Sequence, residues 1–158
     1  PIKEVFLKPS FPQAYKGVIE ACSQAEVIIL GPGSLFSSII PNLLVQGVAE
    51  AIKNSSAKKL YICNIMTQPG ETDDFSALDH VREVEKYLGG YLDYILFNSA
   101  PIPENLLSRH AKHWSYMVKD DLAGSQVKAE VIREGLFGGN EYIRHDPAKT
   151  AQTIFERI

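Results

Sequence analysis

An apolar run, Ala25-Glu26-Val27-Ile28-Ile29-Leu30, ends abruptly in Gly31-Pro32-Gly33-Ser34-Leu35. Strand, tight turn and helix start in that order build anion sites in α/β proteins. Glycine adopts positive φ and lets a ligand approach the backbone, and Pro32 stiffens the turn between the two glycines. The N–H groups of such a turn can cradle a phosphate or carboxylate. A phosphate-bearing small molecule is therefore the first expectation for this loop. On the same reasoning, Gly33→Val is expected to damage it, because a β-branched residue resists positive φ.

Hydroxyls follow at Ser34, Ser37 and Ser38. They can donate to an anion, or they can cap the helix expected near Pro41. Further on, Asn64, Thr67 and Gln68 carry amide and hydroxyl groups suited to a sugar or a base, or to satisfying their own loop. Pro69-Gly70 fits a type II turn. Glu71, Asp73 and Asp74 form an acidic cluster that could hold a divalent ion beside phosphates, or simply face solvent. His80 could act as a base, but a structural histidine bonded to the preceding loop is the commoner outcome. His110, His113 and Trp114 cluster near an expected helix end, and His145 precedes a helix cap. No pair has metal-ligand spacing. The Gly31 loop is not a complete G-x-G-x-x-G, since Phe36 stands at the last glycine position, and no phosphate-loop or serine-hydrolase motif occurs.

These groups need elements to hold them. Val5-Phe6-Leu7 reads as a short strand and Pro12 to Gln24 as a helix. Glu26 to Leu30 reads as a strand buried on both faces. A helix is expected from Pro41 to about Lys53, then strands Lys59–Cys63 and Asp93–Phe97. Between them lies a helix opened by the pair Ser76 and Asp79 and closed at Gly89-Gly90. Another helix runs to about His113, a strand covers Gln126 to Ile132, and Gly138-Gly139-Asn140 is a turn. Asp146 caps a last helix with Pro147 in its first turn. The alternation predicts parallel βαβ units. The fold class is α/β, Rossmann-like and three-layered with a mostly parallel sheet. Residues 1–158 read as one α/β domain or the C-terminal portion of one, with 115–158 a strand, turn and helix extension. In a parallel sheet the loops opened by Gly31, Asn64 and Asn98 emerge at one edge, so they are expected to share one mouth.

The chain has 158 residues and a net charge of -3, which favours neither nucleic acid nor an anionic membrane. No run approaches a membrane span, and no basic leader precedes an apolar core. Cys22 and Cys63 sit in apolar segments and read as reduced thiols of a cytoplasmic protein. The sequence opens at Pro1 without methionine, so a piece of something longer is expected.

Four strings carry a resemblance: Gly31 to Leu35, Ser38 to Val45, Ile62 to Thr72, and Asp79-His80-Val81. Together they resemble the CofD-like family, in its gluconeogenesis-factor (YvcK-like) branch, closely over about residues 20 to 105 and loosely to His145-Asp146-Pro147. The resemblance implies a Rossmann-like fold and ligand contacts at Gly31, Pro32, Gly33, Ser34, Leu35, Ser38, Asn42, Asn64, Thr67, Gln68, Gly70, Glu71, Thr72 and Asn98, with no metal ligand among them. It implies a regulatory protein that binds a nucleotide or nucleotide-sugar such as UDP-N-acetylglucosamine. Links to central carbon metabolism, cell shape and cell-wall synthesis come with it. The other branch implies an enzyme, moving 2-phospho-L-lactate from a guanosine diphosphate carrier to a deazaflavin precursor with Mg2+. A scaffold whose loops face a protein is a third option. Partners expected are a phosphorylated small molecule and further copies of the chain, with no nucleic acid and no membrane. The family's first glycine loop and its acidic, threonine-rich loop lie in an N-terminal half that this sequence lacks. The chain is accordingly expected to be the C-terminal part of a longer protein, holding only part of the nucleotide and any Mg2+ site.

Overall fold

A computed structural model describes residues 2–139 and 141–158. Its frame is a four-stranded, wholly parallel sheet in the order β1 (Val27–Leu30), β2 (Lys58–Ile62), β3 (Tyr94–Asn98), β4 (Glu130–Glu134). Register runs Ile28 to Lys59, Tyr61 to Ile95 and Ile95 to Val131. Alternation along each strand divides the apolar residues between two faces. Leu30, Tyr61, Cys63, Ile95 and Phe97 point to one, where α2 (Ile40–Leu43), α3 (Val48–Asn54) and α4 (Ala77–Leu88) pack with Ile52, Val81, Val84 and Leu88. Leu60, Ile62, Leu96 and Ile132 point to the other, against Ile154 and Ile158 around α6 (Pro147–Arg157). A third cluster of Ile65, Met66, Ile102, Leu106 and Ile143 sits beyond the strand ends, where α5 (Glu104–Ala111) packs. The fold is thus α/β and Rossmann-like. No helix among the described residues is long and apolar enough to cross a membrane.

Local sequence explains the firmest elements. Ser76 and Asp79 exchange side-chain and backbone bonds in a capping box at the start of α4, and Gly89 ends it in the left-handed conformation. Asp146 accepts the Lys149 N–H at 3.0 Å, with Pro147 in the first turn of α6.

Several expectations are corrected. Val5-Phe6-Leu7 forms no strand. The first helix, α1, is Lys16–Gln24 and does not start at Pro12, because Pro12 and Ala14 bond the backbone of Gln46. The same bonds break the expected Pro41–Lys53 helix. A π-helical turn, Leu35–Ile39, runs into α2, the chain turns at Gly47 with φ 91°, and α3 begins at Val48. Strand β1 is not buried on both faces: it is the outer strand of the described sheet, and Ile29 is 45% exposed. The Gln126–Ile132 strand is displaced to Glu130–Glu134, since β3 begins at Tyr94 and offers no partner before Glu130. Helix α5 stops at Ala111, not His113. In the expected Gly138-Gly139-Asn140 turn, Gly138 ends β5 (Phe137–Gly138), which pairs antiparallel with β6 (Arg144–His145), and Gly139 has φ 105°. Asn140 lies outside the described residues.

Candidate functional site

The turn after β1 is built around Gly31, whose φ is 93° and whose added Cβ would stand 3.0 Å from the Ile62 carbonyl oxygen. Positive φ and close approach to β2 both require glycine there. Gly33 needs no positive φ, so the expected reason for its sensitivity is corrected. A side chain at Gly33 would instead crowd Ser38, 3.3 Å from the added Cβ, and Ile39. From Ser34 the chain winds into the π-helical turn, with Ser38 and Ile39 N–H groups both donating to the Ser34 carbonyl. The N–H groups of that first turn lack intrahelical acceptors, as at any helix start.

The turn after β2 touches the first, since Ser34 Oγ donates to the Glu71 carboxylate. Residues 65–67 pair with 116–118: Val118 N–H donates to Ile65 at 3.0 Å and Thr67 N–H to Tyr116 at 2.7 Å. Thr67 Oγ1 accepts from the Tyr116 N–H, and Ser115 Oγ donates to the Thr67 carbonyl at 2.7 Å. The turn then closes on itself, as Gln68 N–H donates to Thr72 Oγ1 and Thr72 N–H returns to the Gln68 carbonyl.

Between the two turns lies an open cavity of about 610 Å3. Pro32, Gly33 and Ser34 form one wall, with Asn64, Thr67 and Gln68 beside them. The far wall was not foreseen: His110 and Ser115 from the end of α5 and its following turn, and Ile143, Arg144 and His145 from the β5–β6 hairpin. Arg144 is the only permanently charged side chain among these lining residues. Burial holds His145 below the ordinary imidazole range, opposed by a bond to the Cys63 backbone. His110 is lowered too, by burial first and then by His113 and Arg109. Both imidazoles are therefore mostly neutral at pH 7 and offer hydrogen bonds rather than charge.

Other expected residues stand elsewhere. Leu35 is fully buried in the core, and the Asn42 side chain donates to the Ser38 carbonyl in the preceding π-helical turn. Ser38 is exposed beside the loop, Gly70 serves its turn with φ 79°, and Thr72 is buried in the Gln68 turn. The carboxylate of Glu71 accepts from Ser34 Oγ. Two of the three turns share the mouth, but Asn98 does not line it. Its side-chain carbonyl accepts from Leu136 N–H at 2.9 Å and Phe137 N–H at 2.8 Å, and its amide donates to Ala100 at 3.0 Å. Asn98 thus fixes the base of the hairpin that carries Arg144. His80 is structural, its Nδ1 on the Ser76 carbonyl at 2.8 Å. Among the described residues no three His, Cys, Asp or Glu side chains gather as a metal site.

Comparison with known proteins follows the same lines. The family model described as 2-phospho-L-lactate transferase CofD matches residues 1–137. A Bacillus subtilis protein named gluconeogenesis factor is 41% identical, over 99% of this chain and 50% of its own length. One of the same name from Halalkalibacterium halodurans is 38% identical, over 98% and 49%. A crystal structure of a Bacillus halodurans protein superposes with a TM-score of 0.91 at 38% identity, covering 98% of this chain and 50% of that one. The chain spans about half the length of these relatives.

Proposed function

Since this chain belongs to the CofD family, with relatives named gluconeogenesis factor, we propose that its cavity binds the phosphate-bearing part of a nucleotide-sugar, a UDP-sugar, as a regulatory ligand. One observation carries this reading: Pro32, Gly33 and Ser34 line the same cavity as Arg144. Backbone N–H groups at a helix start favour an anion. A guanidinium can grip phosphate oxygens in pairs. Asn64, Gln68 and the two neutral imidazoles supply directional bonds for hydroxyls and amides of a sugar or base. Gly31, Pro32, Gly33, Ser34, Asn64, Gln68, His110, Arg144 and His145 are the proposed contacts. A part in central carbon metabolism, cell shape and cell-wall synthesis, and assembly with further copies in the cytoplasm, belong to the same proposal. Calorimetric titration with UDP-N-acetylglucosamine tests it, with Arg144→Ala expected to weaken binding at least tenfold, about 1.4 kcal/mol. Absence of heat with the family-length protein would remove the reading.

The description of the matching family model favours one alternative, a phospho-lactate-type transferase. Incubating the family-length protein and Mg2+ with a guanylated phospho-lactate donor and a deazaflavin acceptor decides it, by formation of the transferred product. The described residues supply no metal cluster for that step.

A further inference from the structure

We propose that Glu71 is an internal occupant of the anion position at the Gly31–Ser34 turn, a carboxylate that an incoming phosphate must displace. The proposal rests on the reading of the cavity given above and adds the residue that sets which anions succeed there.

A serine hydroxyl has one proton to donate. That of Ser34 goes to the Glu71 carboxylate, and Ser37 Oγ in turn donates to Ser34 Oγ at 2.6 Å. The chain Ser37 to Ser34 to Glu71 runs one way and ends on a negative charge. Neither hydroxyl keeps a proton for a ligand while that chain holds. The carboxylate also sets its charge beside the wall that an anion would approach, and like charges repel. None of the ion pairs among the described residues involves Glu71.

The backbone under Glu71 is fixed. Glu71 and Thr72 N–H groups donate to the Gln68 carbonyl at 3.0 and 2.9 Å, and Gly70 N–H donates to Asp73 at 2.8 Å. Displacement is therefore a rotation of one half-buried side chain out to water, with the Gln68–Thr72 turn unmoved. It costs a single charge-assisted hydrogen bond, and the Ser34 and Ser37 hydroxyls can then donate hydrogen bonds to the ligand. A simple carboxylate gains little by replacing another carboxylate. A diphosphate, which brings two negative charges and is gripped also by backbone N–H groups and Arg144, gains more. The exchange makes Glu71 a filter for doubly charged anions.

The experiment uses the family-length protein with two probes, inorganic pyrophosphate and UDP-N-acetylglucosamine, by calorimetry on wild type, Glu71→Gln and Glu71→Asp. Circular dichroism confirms folding of each. Glu71→Gln keeps the shape and removes the charge, and is expected to bind both probes about three- to tenfold tighter. Glu71→Asp keeps the charge but loses the reach, and is expected to give a smaller gain. Unchanged or weaker binding by Glu71→Gln, with wild type still binding, overturns the proposal and leaves the cavity reading intact. Failure of every variant to bind either probe overturns both.

Discussion

Phe137 at the start of β5 donates its backbone N–H to the side chain of Asn98 at the end of β3, at 2.8 Å. The neighbouring Leu136 N–H, fully buried, uses the same oxygen at 2.9 Å. One side chain thereby ties the sheet to the hairpin that carries Arg144 and His145. Asn98→Ala leaves the Phe137 N–H without an acceptor and the Leu136 N–H with only the Glu134 carbonyl at 3.0 Å. The expected cost is about 1–3 kcal/mol in denaturant unfolding. Hydrogen exchange of the Arg144 and His145 amides should quicken in the same variant. Slow exchange there would mean that the hairpin is held by something else.

The two glycines of the first turn should respond unequally. Gly31→Ala meets both a left-handed φ and the Ile62 carbonyl oxygen at 3.0 Å. It is expected to destabilise by about 1–3 kcal/mol. Gly33→Ala requires only that Ser38, 3.3 Å from the new Cβ, give slightly. Its effect is expected below about 1 kcal/mol. Equal losses in urea titrations would contradict this account of the turn.

Acid should loosen the fold through buried imidazoles. His80 has no exposed surface, its Nε2 finds no partner among the described residues, and burial lowers its pKa against the pull of the Ser76 carbonyl. His145 is lowered for the same first reason. In both, the folded state resists a proton that the unfolded chain takes up near pH 6.5. Their contribution is complete above that pH and lost as pH falls through it toward the folded values. Melting temperature is expected to decline from pH 7 to pH 5, and His80→Gln to flatten the decline. A slope identical to wild type would remove His80 from the explanation.

Thiol chemistry gives a simple check of the core. Burial pushes Cys63 up to about 12, while Cys22 is only partly buried. The native protein at pH 8 should react with an aromatic disulfide at one cysteine, Cys22, and at Cys63 only after unfolding. Rapid labelling of Cys63 would show that the Tyr61–Cys63 region opens readily.

Much of this was written locally. The Ser76–Asp79 box, the Asp146-Pro147 start and the apolar runs of β2 and β3 depend on neighbours within a few residues, so pattern reading finds them. The break at Gly47 depends on Gln46 bonding Pro12 and Ala14, more than thirty residues earlier. No local period signals that. Likewise Arg144 and His145 are carried to the mouth on a hairpin whose base Asn98 bonds at Leu136 and Phe137, some forty residues away. The one available sign was the loose continuation of the resemblance to His145-Asp146-Pro147. Composition marked Asn98 as important, and tertiary bonding made it a bracket instead of a contact.

The family model's match ends at residue 137, after the glycine turn and the turn that follows β2 and before Arg144 and His145, while the Bacillus subtilis relative matches 99% of the chain. The terminal stretch also carries Ile154 and Ile158, which seal one side of the sheet. Exchanging the tip of the hairpin alone, while keeping that seal, could retune selectivity without rebuilding the frame. The charge of Arg144 thus rides on a hairpin separate from the turn that follows β1.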